Sequence, residues 1–161
     1  MKICRLTPFL GAEVLNVDLS TEIDDNTFAV IHEAFVTHSV LIFRNQKLSP
    51  QNMIDFSQRF GPLMIHVLKD SLLEGQPEIY KLSNRKTNGK PDGRAYAGQY
   101  WHSDLTYESR PSLGSLLYGI EVPEVGGDTL FSSTAHAYDT LSPTMQKIIS
   151  GFTAEHLFAH A

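Results

Sequence analysis

The chain has 161 residues, a formal net charge of -5, 42% hydrophobic residues and one cysteine. This length suits one domain, and the thirteen lysines and arginines form no basic run, which argues against a nucleic-acid partner. The single Cys4 cannot form an internal disulfide, so we expect a reducing, cytoplasmic setting. The longest apolar run, residues 40–43, is far shorter than the roughly 20 residues of a membrane helix, so we expect no membrane partner.

The first half of the chain predicts two strands and two helices. The elements are a half-buried strand over 11–19, a helix over 24–38, a buried strand over 39–43 and a helix from 50 to about 60. Asp24, Asp25 or Asn26 can cap the first helix, and Ser49 followed by proline marks the start of the second.

The second half predicts a loop, further strands and a broken helix. Turn-forming residues over 84–98 predict a long mobile loop, which is either a lid or an ordinary surface loop. The later elements are strands over 115–122 and 129–132, a helix over 133–149 broken at 142–143, and a strand starting at 153–158. Because strands outnumber helices, the pattern favours an antiparallel sheet with flanking helices, such as part of a jelly roll.

The strongest chemical signal is Trp101-His102-Ser103-Asp104. His102 and Asp104 are two residues apart, so on an extended segment both side chains point to the same face and can reach one ion. Imidazole and carboxylate suit Fe(II), and a facial iron site uses two histidines and one carboxylate. A histidine–aspartate pair at this spacing is common by chance, so its context carries the interpretation.

That context is an ordered series of short motifs spread over the chain. They are SVLIFRNQ at 39–46, FGPL at 60–63, QYWHSDL at 99–105, GGDTLF at 126–131 and AYDTLS at 137–142. In this order they resemble the TauD/TfdA family of Fe(II)- and 2-oxoglutarate-dependent dioxygenases over nearly the whole chain. The resemblance implies a mainly β fold with flanking helices, a double-stranded β-helix or jelly roll of the clavaminate synthase-like kind, of which residues 1–161 are the N-terminal part.

The resemblance also implies the site residues and the reaction. His102 and Asp104 match two catalytic iron ligands, and Thr129 matches a hydroxyl donor to the 2-oxoglutarate cosubstrate. His66 and Leu105 match substrate-side residues. The implied enzyme uses Fe(II), 2-oxoglutarate and O2 to hydroxylate a small organic acid, a sulfonate, carboxylate or sulfate ester, with release of succinate and CO2.

The sequence departs from the family pattern at several places. Lys69 stands where taurine-cleaving members carry a tyrosine, and Gly98 lies near where they carry an asparagine, so the match disfavours taurine itself. His66 or Lys69 is the candidate partner for an anionic substrate. The family's second ligand histidine and its 2-oxoglutarate arginine have no match, so we expect the C-terminal part of the domain to be absent.

Other interpretations of the same residues remain open at this point. The polypeptide is alternatively an inert fragment, or a weak metal binder that lacks the third iron ligand. His156 and His160, four residues apart, can share one helix face and bind a metal there. His66 can also simply end a strand, and Thr129 can be an ordinary strand threonine. Homo-oligomer formation is left open.

Overall fold

The computed structural model describes residues 1–95 and 97–157. Its elements are β1 (Lys2–Arg5), β2 (Ala12–Leu15), α1 (Asp25–His38), β3 (Leu41–Ile42), α2 (Pro50–Gln58), a 3-10 turn (Lys69–Ser71), β4 (Leu72–Leu73), β5 (Gln76–Tyr80), β6 (Lys86–Thr87), β7 (Lys90–Pro91), α3 (Thr134–Asp139) and α4 (Pro143–Ile149). They divide between two compact units. The first unit comprises Met1–Asp18, Glu22–Gln46 and the residues from Leu117 on, and the second comprises Leu19–Thr21 and Lys47–Leu116.

The first unit is built on a three-stranded sheet in the order β1-β2-β3. β1 and β2 are antiparallel, whereas β2 and β3 are parallel and connected through α1. The expectation of an antiparallel sheet is therefore wrong for β2 and β3. The helix α1 carries the chain back to the end of the sheet at which β2 begins, so that β3 runs in the same direction as β2. Ile31 and Ala34 of α1 are buried, as are Ala12 and Val14 of β2, and α1 contacts β2.

Local capping confirms both predicted helices of the first half. The Asp24 carboxylate accepts the Thr27 backbone N–H at 3.0 Å and caps α1. At α2, Ser49 and Asn52 form a reciprocal capping box, in which each side chain accepts a backbone N–H of the other residue. These interactions satisfy amides that the helical hydrogen-bond pattern leaves without partners.

In the second unit, α2 contacts β5 and buries Ile54 and Phe56. The predicted long loop over 84–98 is wrong for its central part, because β6 and β7 pair there as an antiparallel hairpin. The turn residues Asn88 and Gly89 have positive φ angles of 52° and 78°. An Asn-Gly pair in this conformation matches the right-handed twist of the adjoining strands, so the turn formers serve a hairpin.

The predicted strands over 115–122 and 129–132 are wrong, because neither segment is paired as a strand. Leu117, Ile120 and Leu130 are 62%, 83% and 71% exposed. A strand requires a neighbouring backbone to pair with, and periodicity in the sequence does not supply one. The predicted strand at 153–158 is likewise wrong over 153–157, and residue 158 lies outside the described residues.

The predicted helix over 133–149 is confirmed, and so is its break. It forms α3 and α4, capped by Ser133 and Ser142, with Pro143 as the first residue of α4. The described residues form one sheet of three strands and two sheets of two strands, so the jelly roll stays a prediction. In the part of the chain that the structure describes, no helix is long and apolar enough to cross a membrane.

Candidate functional site

His102 lies in an irregular segment of the second unit, and its ring orientation is defined by a backbone contact. Its Nδ1 lies 2.8 Å from the carbonyl oxygen of Tyr100. A carbonyl can only accept a hydrogen bond, so this contact is a hydrogen bond when Nδ1 carries the proton, and in that neutral tautomer Nε2 keeps its lone pair. Metal-binding histidines commonly use one ring nitrogen in this way while the other binds the ion.

Asp104 presents its carboxylate to that same nitrogen. Its Oδ1 lies 3.2 Å from His102 Nε2, and the two side chains are 41% and 51% exposed. In the neutral tautomer both atoms are acceptors, so their lone pairs converge without a hydrogen between them. Two ligands of one ion with bonds of about 2 Å lie about 3 Å apart when adjacent, so this nitrogen and oxygen donor set suits Fe(II).

Gly98 lies beside the imidazole. Its φ is +71°, and a Cβ added there would lie 3.4 Å from His102 Cε1. A larger side chain at this position would be both strained and close to the ring. The predicted departure from the family at Gly98 therefore occurs at a residue that borders His102.

A tight turn follows the aspartate. Leu105 has a φ of +56°, a left-handed conformation that costs a non-glycine residue about 1 kcal/mol or more, and its carbonyl accepts the Glu108 N–H at 3.1 Å. Burial, and after it the negative charges of Glu108 and Asp104, raise the pKa of Tyr107, so its phenol stays neutral. The turn gives Leu105 a half-buried position next to Asp104, and its substrate role stays a prediction.

His66 also belongs to the second unit, in an irregular segment after α2, so the interpretation that it ends a strand is wrong. Its Nδ1 accepts the Leu68 backbone N–H at 3.0 Å, which leaves Nε2 as the donor of the neutral ring. The ring stacks on Tyr80, with centroids 4.3 Å apart. A donor nitrogen suits an anionic group, and the substrate role of His66 stays a prediction.

Thr129 lies in the first unit, in an exposed irregular segment that follows the turn at Gly126 and Gly127. Both glycines have positive φ angles, and a Cβ on Gly127 would come within 3.1 Å of Pro123. The backbone conformation of this turn therefore favours glycine at both positions. The role of Thr129 toward 2-oxoglutarate stays a prediction.

An open groove of about 510 Å³ lies near the His66 segment in the second unit. Its lining consists of Gln58, Gly61, Pro62, Leu63, Ile65 and Glu78. None of these lining residues is a predicted site residue, and the Glu78 carboxylate disfavours an anion there. The groove therefore does not match the expected substrate.

Sequence reasoning missed Ser115, whose Oγ donates a hydrogen bond to Asp104 Oδ2 at 2.6 Å. No motif marks this serine, because the contact joins residues eleven apart through an irregular segment. Within residues 1–95 and 97–157, no group of three or more histidine, cysteine or acidic side chains is placed to hold a metal ion. Of the alternative pair His156 and His160, His160 lies outside the described residues.

Trp101 and Tyr100 are the two aromatic residues directly before His102. They are 69% and 58% exposed, and the Tyr100 ring lies 5.5 Å from the His102 ring at a tilt.

Comparison with known proteins decides the family. Residues 2–161 match the family model described as taurine catabolism dioxygenase TauD, TfdA family. The chain belongs to the TauD/TfdA family. The resemblance predicted from the motifs is confirmed over essentially the whole chain.

Individual family members support this assignment. The chain is 33% identical over 161 residues to the alpha-ketoglutarate-dependent 2,4-dichlorophenoxyacetate dioxygenase of Cupriavidus pinatubonensis, covering 94% of this chain and 56% of that protein. It is 31% identical over 157 residues to an alkylsulfatase of Acinetobacter baylyi, covering 97% of this chain and 47% of that protein. The chain thus spans about half the length of the curated relatives it matches.

The structural comparison agrees with the sequence comparison. The crystal structure of a taurine dioxygenase from Burkholderia xenovorans matches with a TM-score of 0.78 and 31% identity. The match covers 93% of this chain and 51% of that chain. Most of this chain is therefore similar in backbone to about half of that taurine dioxygenase.

Proposed function

We propose that the protein containing this chain is an Fe(II)- and 2-oxoglutarate-dependent dioxygenase that hydroxylates a small organic acid. The observation that carries the proposal is the convergence of His102 Nε2 and Asp104 Oδ1 at 3.2 Å, with Nδ1 engaged by the Tyr100 carbonyl. Family membership agrees with it. The proposed fold is the family's jelly roll, completed by residues beyond those present here.

Each named side chain has a distinct part in this proposal. His102 and Asp104 would hold the iron together with a third protein ligand, for which we propose a histidine outside the described residues. Thr129 would donate its hydroxyl proton to a carboxylate of 2-oxoglutarate, and His66 Nε2–H would donate to the substrate anion, with Leu105 as an apolar wall. When bound, iron with 2-oxoglutarate and O2 would supply the oxidation, in which one oxygen atom enters a substrate C–H bond, the other enters succinate, and 2-oxoglutarate loses CO2.

The proposed substrate class rests on the names of the relatives and on the side chains of this protein that can bind an anion. Relatives are named for sulfonate, sulfate ester and 2,4-dichlorophenoxyacetate oxidation, which are all small organic anions. His66 and Lys69, both in the second unit, are the candidate partners for the anionic group of such a substrate. We propose an aryloxyalkanoate, an alkyl sulfate or an alkyl sulfonate as substrate.

The test uses the full-length protein, loaded anaerobically with Fe(II) and 2-oxoglutarate and then exposed to O2. Each of the three acid classes is added separately, and succinate and the oxidised product are measured. We expect succinate formation that depends on one class of acid and matches product formation one to one. Fe(II) retention without succinate from any acid would contradict the proposal.

A second candidate is a chain without catalytic activity. It is favoured by the presence of two potential ligands rather than three in the part of the chain described. With both imidazole nitrogens protonated, the same His102–Asp104 contact is an exposed ion pair that contributes about 0–1 kcal/mol. Reading the coding DNA past the codon for Ala161 separates the two candidates: a continuing frame with a histidine followed by an arginine supports the dioxygenase, and a stop codon supports the inert chain.

A further inference from the structure

The two oxygens of Asp104 have different surroundings. Oδ1 faces His102 Nε2 at 3.2 Å, whereas Oδ2 accepts the Ser115 hydroxyl hydrogen at 2.6 Å. A hydrogen bond from a hydroxyl to a carboxylate has this short length when it is charge-assisted. The carboxylate is therefore fixed in rotation, with one oxygen engaged by protein and the other directed to the predicted metal position.

We propose that Ser115 is a positioning residue that makes Asp104 a one-oxygen metal ligand. The inference rests on the proposed function of His102 and Asp104 as iron ligands. A serine hydroxyl has a single hydrogen to donate, and here Asp104 receives it. The hydrogen bond occupies one of the two lone pairs of Oδ2 and restricts rotation of the carboxylate, which favours Oδ1 over Oδ2 as the oxygen that would bind the ion.

The surroundings of the hydrogen bond argue against a mainly structural role. Ser115 and Asp104 are both exposed, and each lies in an irregular segment of the same unit. Replacing an exposed hydroxyl leaves no buried group without a partner, so the fold should lose little. The turn at Leu105 and the Ser115 hydroxyl together restrict the directions that the Asp104 carboxylate can take.

The experiment measures metal binding rather than turnover. The full-length protein is prepared as wild type, Ser115→Ala and Ser115→Thr, with Ser112→Ala as the matched control from the same segment. Mn(II) affinity is determined from the free-ion electron paramagnetic resonance signal, and Co(II) loading is followed by visible absorption. We expect Ser115→Ala to weaken Mn(II) binding about 10–100-fold and to change the Co(II) spectrum. Ser115→Thr, which keeps the hydroxyl, and Ser112→Ala should both match wild type.

The outcomes separate this inference from the proposed function. If wild type binds neither ion, both fall. If wild type binds Mn(II) and Ser115→Ala binds it equally with an unchanged Co(II) spectrum, the positioning role is overturned and the proposed function stands. Should Ser115→Ala fail to fold, the isosteric pair Ser115→Thr and Ser115→Val decides, because the two differ in the hydroxyl alone. Equal Mn(II) affinity of that pair overturns the inference.

Discussion

At His102, a single backbone contact determines which nitrogen can bind a metal. The Tyr100 carbonyl engages Nδ1, and Nε2 is thereby the atom that faces Asp104. Replacing His102 or Asp104 by a residue without a metal-binding atom should therefore lower the affinity for the proposed metal ion more than it lowers the stability of the fold. His66 has the opposite arrangement, because its Nδ1 is the acceptor for the Leu68 N–H and its Nε2 is the donor. The two histidines are chemically suited to different tasks.

The first prediction concerns the carboxylate. Asp104→Asn replaces a charged ligand by a neutral amide of the same shape, so Fe(II) affinity of the full-length protein should fall at least about 10-fold, with loss of succinate formation. Asp139→Asn at the exposed end of α3, in the first unit, makes the same chemical change and should leave both unchanged. Isothermal titration under anaerobic conditions gives the affinities. Equal affinity of Asp104→Asn and wild type would remove Asp104 from the ligand set.

The second prediction separates substrate binding from metal binding. His66→Ala removes the Nε2 donor and should raise KM for the acid about 10-fold or more, while Fe(II) affinity stays at the wild-type value. His38→Ala at the end of α1 serves as the control. Steady-state kinetics together with metal titration of the same samples makes the comparison. A loss of iron in His66→Ala as large as in Asp104→Asn would contradict the distinct roles.

At the scale of elements, the best-predicted parts of the chain are those defined by neighbours in sequence. α1 and α2 occur where the sequence predicted them, because Asp24 and Ser49 cap them through residues three positions away. Helix caps and turns act over a few residues, so a local pattern contains the whole interaction. The β6–β7 hairpin was missed although its Asn88-Gly89 turn is local, because its strands lack the apolar alternation that marks a strand.

The third prediction tests the cap of α1. The Thr27 hydroxyl and backbone N–H donate to the Asp24 carboxylate and lower its pKa below the usual value of about 3.9. Because the folded pKa is lowered, the stabilisation is complete above the unfolded pKa and is lost as pH falls through the folded pKa. Urea unfolding from about pH 6 to about pH 2 should therefore show wild type losing stability relative to Asp24→Asn, whose neutral amide also caps but does not titrate.

A constant difference between the two proteins across that range would contradict this prediction. The matched comparison cancels every other carboxylate of the chain, since all of them are shared by the two proteins. The remaining difference therefore reports the Asp24 titration alone.

For the whole molecule, the central fact is that the chain spans about half of its relatives. Several large apolar side chains between Leu113 and Phe131 are exposed, and no strand is formed over 115–122 or 129–132. The same segments carry the apolar periodicity that predicted strands. Both facts agree with the proposal of a jelly roll in which these segments pair with strands outside the described residues.

The fourth prediction follows from that proposal. In the full-length protein, backbone amides of 115–122 and 129–132 should exchange hydrogen at least about 100-fold more slowly than in the 161-residue chain, because pairing protects them. Amides within α2 serve as the internal control and should be protected in both proteins. Hydrogen exchange followed by mass spectrometry gives the comparison. Equal rates over 115–132 would contradict the proposed completion of the sheet.

By itself, the sequence determined the family through the order of its motifs along the whole chain. It also determined the two capped helices and marked His102 and Asp104 as a candidate pair, because a cap and a pair of this kind consist of close neighbours in sequence. The tertiary structure alone decided the parallel pairing of β2 with β3, the His66–Tyr80 stack and the contact of Ser115 with Asp104. Each of these joins residues that are far apart in sequence or separated by irregular backbone. Their meeting is set by the packing of whole elements, which no local pattern of side chains encodes.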